Sequence, residues 1–309
     1  MGIVKEETDL IQLGLSKARI ASRYAHTAFT SLVGPSKAER TAVMEEDWDT
    51  LVLLDACRSD MFFRLCEFSG TFSRRYSKGS TSAEFLAENF GGEQFHDTVY
   101  VSANPHTADL ADETFHAHED VYRTDWDDER QTVTPEAMNE AVRAAHESYP
   151  HKRIIAHYMQ PHYPFLGSLG EEIEHRGYAP DGDFDAVGAS IWTQLQTGTA
   201  DVSRSRVIKA YEENLRLVLE ELEPLLQDID GKVVISADHG NLIGERGWPI
   251  PVRMYGHPGR SGARGLIEVP WFEFPYESRR DVTSDAPTEQ ERDADNDDLE
   301  DRLKALGYQ

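Results

Sequence analysis

Four short apolar runs, each closing on polar residues, constrain this chain more than any other feature. Residues 51–54 (Leu-Val-Leu-Leu) run without a break into Asp55, and similar runs stand at 98–101, 154–156 and 232–236. A strand that is apolar at every residue has both faces buried, which is the habit of parallel sheets rather than of half-solvated hairpins. Between the runs lie stretches with helical spacing, at 82–90, 135–146 and 205–227. The last carries Val207, Ile208, Tyr211, Leu215, Val218, Leu222 and Leu225 on one stripe. Strand and helix alternating in this way predict an α/β fold with a mostly parallel sheet covered on both sides. In such a sheet, residues just past the strand ends gather along one edge, where ligands bind.

Two flanking segments differ from this core. Residues 3–33 place Leu10, Leu13, Ile20, Ala21, Phe29, Leu32 and Val33 at helical spacing and stop at Gly34-Pro35. Only Lys5, Lys17, Arg19 and Arg23 are basic there, so a helix packed on the main domain is favoured over one lying on a membrane. From 277 to 301 the chain holds 11 acids against 3 Arg and almost nothing apolar, which predicts a solvated tail. The expected organisation is a helical segment over 1–45, a catalytic domain over 46–275 and an acidic, flexible tail over 276–309. The Asp- and Gly-rich stretch 177–188 reads as a loop long enough to form part of a lid.

Charge and cysteine content narrow the function. The chain has 309 residues, with 31 Lys+Arg against 56 Asp+Glu, a net charge of −25. Phosphate backbones would be repelled over most of that surface, which excludes general nucleic-acid binding. Only 8 of the basic residues are Lys, and the acids crowd surface-type positions, as in salt-adapted, halophilic proteins. Cys57 and Cys66 are too few for a disulfide scaffold or a Cys-rich zinc site. No apolar run approaches the roughly 20 residues of a transmembrane helix. No basic-then-apolar leader opens the chain either, from which a cytoplasmic location is expected, with peripheral membrane association as the alternative. The residues do not fix an oligomeric state.

Four polar clusters follow predicted strands. Asp55, at the end of the first, either presents a carboxylate to a metal or caps the next helix. Residues 78–85 (Lys-Gly-Ser-Thr-Ser-Ala-Glu-Phe) place three hydroxyls where a helix begins. They are either a capping box or a hydroxyl nucleophile whose anion the helix N-terminus stabilises. In 157–165, His157 and His162 stand around Pro161 and Pro164, and the prolines stiffen the loop that aims the imidazoles. In 236–240, Asp238 and His239 offer one oxygen and one nitrogen, with Gly240 permitting a tight turn.

The order of these clusters, with Tyr255-Gly256-His257-Pro258 downstream, resembles the alkaline phosphatase superfamily, in particular its sulfatase-like branch. The resemblance covers about residues 46–275. It implies an alkaline-phosphatase-like three-layer sandwich with a mostly parallel central sheet. It also implies that Asp55, Asp238 and His239 hold a metal, and that Thr81 is both nucleophile and metal ligand. The Gly-x-Thr-Ser run of 79–82 is similar to the loop of lipoteichoic-acid-synthase-type phosphoglycerol transferases, whose nucleophile is Thr. This chain is one residue shorter after Ser82, which leaves Ser80 and Ser82 as alternatives. His162 and His257 match groups that bind the anion or protonate a leaving oxygen, His157 and Ser80 are expected beside the substrate, with a satisfied structural histidine as the alternative for His157, and Arg58 either clamps an anionic oxygen or pairs with Asp60.

The formylglycine pattern of true sulfatases is missing around both cysteines, and the spacing for a second metal is absent from 157–165. One divalent cation is therefore expected. Two carboxylates, an imidazole and a hydroxyl form a mostly hard set, which suits Mn²⁺, Mg²⁺ or Ca²⁺ and also admits Zn²⁺. The implied activity is hydrolysis of a phospho- or sulfo-ester. Transfer of a phospho-group onto a surface glycan or lipid is the first alternative, and a non-catalytic binding protein on this fold is the second.

Overall fold

In the computed structural model, residues 2–171, 173, 190–288, 299, 301–303 and 306 are described. The loop expected over 177–188 and the tail over 289–298 lie outside them. The apolar runs become the middle of a seven-stranded sheet. Its strands are β1 (Thr50–Leu54), β2 (Thr71–Tyr76), β3 (Phe95–Ser102), β4 (Phe115–Asp120), β5 (Arg153–Tyr158), β6 (Val233–Ser236) and β9 (Glu268–Glu273). A separate hairpin is formed by β7 (Leu242–Arg246) and β8 (Arg253–Gly256). The sheet order is β2-β9-β6-β1-β5-β3-β4. Strands β6, β1, β5, β3 and β4 pair in parallel, and β9 runs antiparallel to both β6 and β2.

Alternation along the strands builds two separate cores. Val52, Leu54, Ile154 and Ala156 face the layer that includes α5 (Pro135–Ser148) and α7 (Arg204–Asp228). Leu51, Leu53, Ile155 and Val234 face the opposite layer, which includes α3 (Ser82–Phe90) through Phe85, Leu86 and Phe90. All eight of these strand residues are wholly buried. Each is worth roughly 1.5–3 kcal/mol of burial, which fixes the register of every central strand. The remaining helices are α1 (Gly2–Val33), α2 (Ser59–Leu65), α4 (Val121–Thr124), α6 (Ile191–Thr197) and α8 (Arg264–Ile267). The result is a mostly parallel sheet covered on both sides, as the alternating pattern predicts, and so the three layers that the resemblance implies.

Register carries the site. Leu54 stands opposite Tyr158, Leu53 opposite Ser236, and Ser102 opposite His157. The carboxyl ends of β1, β3, β5 and β6 are therefore level. The chain leaves β1 with β5 on one side and β6 on the other, which opens a crevice between them.

Helix α1 is tied across this edge. Ser16 Oγ and Arg19 Nη1 donate to the Thr197 carbonyl at 3.2 and 2.5 Å, at the end of α6. One end further on, Thr30 Oγ1 lies 3.1 Å from Ser261 Oγ. A Cβ on Gly34 would meet the Gly262 carbonyl at 2.7 Å, so the close approach needs glycine there. Among the described residues no helix is long and apolar enough to cross a membrane.

The tail expected to stand in solvent from residue 276 is instead held to the body over 279–288. Arg279 donates to Asp49 at 2.6 Å and Asp47 at 2.8 Å, Lys152 pairs with Asp285 at 2.7 Å, and the Thr283 and Thr288 amides bond to His151 and His116 carbonyls. Composition concealed this, because the few basic groups involved are matched one by one to acids distant in sequence. Leu306 is wholly buried in the core.

Candidate active site

Three ligands converge beyond β1 and β6. Asp55 follows β1 directly, and the backbone then turns at Ala56 with φ 58°, a left-handed conformation that a Cβ disfavours. That turn is held on both sides: the Ala56 amide donates to Asp238 Oδ1 at 3.1 Å, and the Tyr211 hydroxyl donates to the Ala56 carbonyl. Asp55, Asp238 and His239 are all wholly buried, and one ligand atom from each lies within 4.8 Å of the others. His239 Nδ1 sits 2.7 Å from the Gly240 carbonyl, which can only accept, so Nδ1 carries the proton. Its Nε2 is left 3.6 Å from Asp55 Oδ1 and 3.5 Å from Asp238 Oδ2.

Of the three hydroxyls in 80–82, the one brought into this cluster is that of Ser82. Its Oγ lies 2.6 Å from Asp238 Oδ2 and 3.4 Å from both Asp55 Oδ2 and His239 Nε2. Thr81, expected to touch the metal, is instead the N-cap of α3, accepting from the Glu84 amide at 3.3 Å. Ser80, expected beside the substrate, donates to Glu84 Oε2 at 2.8 Å and accepts from the Ser261 amide at 3.1 Å. The physical reason is rotation. A cap folds its side chain back onto its own helix, whereas Ser82, as the first helical residue, points on past it. Gly79 allows this tight entry, since a Cβ there would meet the Phe85 amide nitrogen at 2.3 Å.

The donor set fits a divalent cation. Two carboxylates with no exposure, side by side, are costly unless positive charge balances them. Burial alone would push Asp238 up, but His239, His157 and the Ser82 hydroxyl hold it well below the usual carboxylate range. Separations of 2.6–3.6 Å between the donor atoms of Asp55, Asp238, His239 and Ser82 are those of neighbouring ligands around one ion. Asn104, just past β3, donates to Asp55 Oδ2 at 2.8 Å and orients it.

Above this floor the imidazoles part company. His157 is wholly buried, with Nδ1 2.9 Å from the Tyr100 hydroxyl and Nε2 3.7 Å from Asp238 Oδ2. It backs the carboxylate from inside the sheet and is absent from the cavity wall, contrary to a substrate-contacting role. His162 and His257 do meet, Nε2 to Nε2 at 3.2 Å. His162 Nδ1 lies 2.6 Å from the Tyr163 carbonyl and so donates to it, which places the shared proton on His257 Nε2. Burial pushes His162 down to about 3 and His257 well below its ordinary value, so both are neutral donors and not imidazolium acids. The loop carrying His162 is pinned by Asn214 of α7, whose amide reaches the carbonyls of Pro161, His162 and Pro164 at 2.9–3.3 Å.

Arg58 is turned away from the site. It donates to Asp60 at 2.7 and 2.9 Å, to Glu245 at 2.6 Å and to the Asn241 carbonyl at 2.6 Å. Two carboxylates and a carbonyl occupy its guanidinium, so it is a structural clamp between α2 and the β7 hairpin. Three participants were passed over in the sequence: Asn104, Asn214 and His106. His106 lines the cavity and is pushed down to about 4 by burial. The signal for Asn104 and His106 was their position just past the run at 98–101. Asn214 gave a fainter one, as a polar residue beside the apolar stripe of a long helix.

A cavity of about 370 Å³ lies beside this floor and meets it through His257, whose ring centroid is 4.9 Å from that of His239; Thr81, His106, Tyr163 and Trp192 also line it, whereas Asp55, Ser82, Asp238 and His239 lie behind its wall. No family model matches the chain, and no curated protein matches it. Three of the solved structures to which it is similar follow. One is the integral membrane lipooligosaccharide phosphoethanolamine transferase A from Neisseria meningitidis, at 11% identity and TM-score 0.41, covering 72% of this chain and 47% of that one. The chain thus spans about half the length of that protein. A second is a putative sulfatase from Bacteroides thetaiotaomicron, at 12% identity and TM-score 0.43, covering 75% and 65%. A third is the lipoteichoic acid synthase LtaP from Listeria monocytogenes, at 12% identity and TM-score 0.39, covering 84% and 72%.

Proposed function

We propose that this protein is a metal-dependent hydrolase of phospho- or sulfo-esters, with Ser82 as its nucleophile. The observation that carries the reading is the Ser82 Oγ, within 3.4 Å of donor atoms of Asp55, Asp238 and His239 together. A helix cap does not need three buried, ionisable partners of this kind. Asp55, Asp238 and His239 would hold the cation, with Ser82 completing the set. Mn²⁺, Mg²⁺ or Ca²⁺ suit these donors best, and Zn²⁺ is also accepted. When bound, the ion supplies the positive charge that favours the serine alkoxide and the anionic oxygens of the ester.

The chain's own residues supply the rest. Ser82, at the first position of α3, has the free amides of that helix beside it, which stabilise negative charge on the ester oxygens. Its Oγ loses its proton to solvent and forms a bond to phosphorus as the bond to the leaving oxygen breaks, giving a phosphoserine and an alcohol that takes up a proton from water. His257 Nε2–H, held by His162 Nε2 in the resting site, turns from it to the leaving oxygen as charge develops there. Asn214 and the loop prolines keep His162, and through it His257, in place. Water then attacks the phosphoserine and regenerates the hydroxyl. An acceptor alcohol in place of water would give transfer instead.

The test is a panel of phosphomonoesters, phosphodiesters, phosphonates and sulfates assayed with each divalent cation, with and without an acceptor alcohol. Mass spectrometry of quenched reactions is expected to place the adduct on Ser82. An adduct on Thr81, or unchanged turnover in Ser82→Ala, sinks the assignment.

A further inference from the structure

The cavity has a wall that owes nothing to the strand ends. Arg23, Tyr24 and Thr27, from helix α1, line it opposite Thr81 and His257. Among the described residues lining this cavity, Arg23 alone carries a permanent charge. Arg58, Arg64 and Arg279 each sit on a carboxylate. No carboxylate pairs with Arg23 among the described residues; its side chain is hydrogen-bonded to the Tyr24 phenol. Its Nε is buried and makes no hydrogen bond within the protein. The same holds for Thr27 Oγ1, one helical turn along, where a helical threonine would ordinarily bond back to the preceding turn. Both residues line the cavity, so the guanidinium and the hydroxyl are the cationic and polar groups that this helix brings to it.

Their position is not adjustable. Arg19 is bonded to the Thr197 carbonyl on one side of the pair, and Thr30 to Ser261 on the other. The helix is therefore anchored at both ends of the span that faces the cavity.

We propose that Arg23, assisted by Thr27, is the anion-recognition element of this cavity and selects an ester carrying a single negative charge. The proposal rests on the reading of the floor as a metal-dependent ester site. The charge argument follows from it. Two carboxylates and a divalent cation are together neutral, and Arg23 adds one fixed positive charge. A guanidinium is suited to this task, since its planar donors match the oxygens of a phosphate or sulfate group. A monoanionic diester or sulfate is matched; a neutral triester leaves the guanidinium unpaired.

Two measurements test it, one without turnover. Isothermal titration of the metal-loaded protein with dimethyl phosphate, a monoanion, is expected to show binding weakened roughly 10–100-fold in Arg23→Gln. Trimethyl phosphate, which is neutral, is expected to bind equally weakly to both. With bis(4-nitrophenyl) phosphate, Arg23→Gln is expected to raise KM by a similar factor with little change in kcat, and Arg23→Lys to recover part of the loss. Thr27→Val, which keeps the volume, is expected to cost a few-fold and serves if Arg23→Gln does not fold. Unchanged dimethyl phosphate binding and KM in the folded Arg23 variants, beside Ser82-dependent turnover, overturn this proposal and leave the ester chemistry standing. Arg23-dependent binding in a protein that hydrolyses no ester has the opposite meaning: the anion site stands and the hydrolase reading falls.

Discussion

The buried floor of the site and the wall of the cavity beside it are built by different means. On the floor, Asp55, Asp238, His239 and Ser82 have no exposure and are carried just past strand ends or at the first turn of α3. Their positions follow from sheet register, so few rearrangements are open to them. On the wall, Arg23, Tyr24 and Thr27 come from a helix that precedes the sheet in sequence and reaches the site through a few side-chain anchors. The difference teaches where chemistry and selectivity separate. A floor fixed by packed strands can hold a reacting centre within tenths of an ångström, whereas a wall on a tethered helix can change its side chains without disturbing the fold.

The comparison breaks most sharply at Ser82. Ser82→Ala is expected to lower kcat by at least about a thousandfold while the protein folds and keeps its metal, because a covalent nucleophile is lost and three ligands remain. Wild-type kcat in that variant would make the floor a binding site only. Asp238→Asn comes next: metal content by elemental analysis is expected to fall to near zero, since a neutral amide replaces a buried charged ligand. Full metal occupancy there would show that the ion sits elsewhere.

Asn214 sharpens the boundary between the two regions, because it positions His162 without touching the cavity. Asn214→Ala leaves the carbonyls of Pro161, His162 and Pro164 without their donor, and is expected to cost roughly 2–4 kcal/mol in denaturant unfolding. Stability within about 0.5 kcal/mol of wild type would mean that the loop holds itself. The smallest effect belongs to Thr81, which lines the wall but caps the helix. Thr81→Ala is expected to cost about 1 kcal/mol of stability and less than tenfold in turnover. A thousandfold loss with normal stability would return the nucleophile to Thr81.

Much of the floor was legible in the sequence. An apolar run ending in Asp55 and another followed by Asp238-His239 are local patterns, and parallel pairing is bound to bring their ends together. The choice among Ser80, Thr81 and Ser82 was not legible. Consecutive residues entering a helix differ in direction by about 100°, so one residue of offset moves a hydroxyl from the ligand cluster to a cap. Of the two roles open to Arg58, the structure shows the pairing with Asp60 and not a clamp on an anionic oxygen. Asp60 was visible as a partner, but Glu245, 187 residues away, was not, and together they draw the guanidinium from the site.

By itself, then, the sequence determined the layered α/β fold, the edge of the sheet where polar residues gather, and three side chains that could together hold a metal. Periodicity and burial act over a few residues at a time and leave little freedom in those features. Only the tertiary structure decided which hydroxyl joins the ligands, that Arg23 and Thr27 face the cavity, and that 279–288 are clasped to Asp47, Asp49 and Lys152. Each of those outcomes depends on the direction of one side chain relative to a partner far along the chain, and no local pattern encodes such a direction.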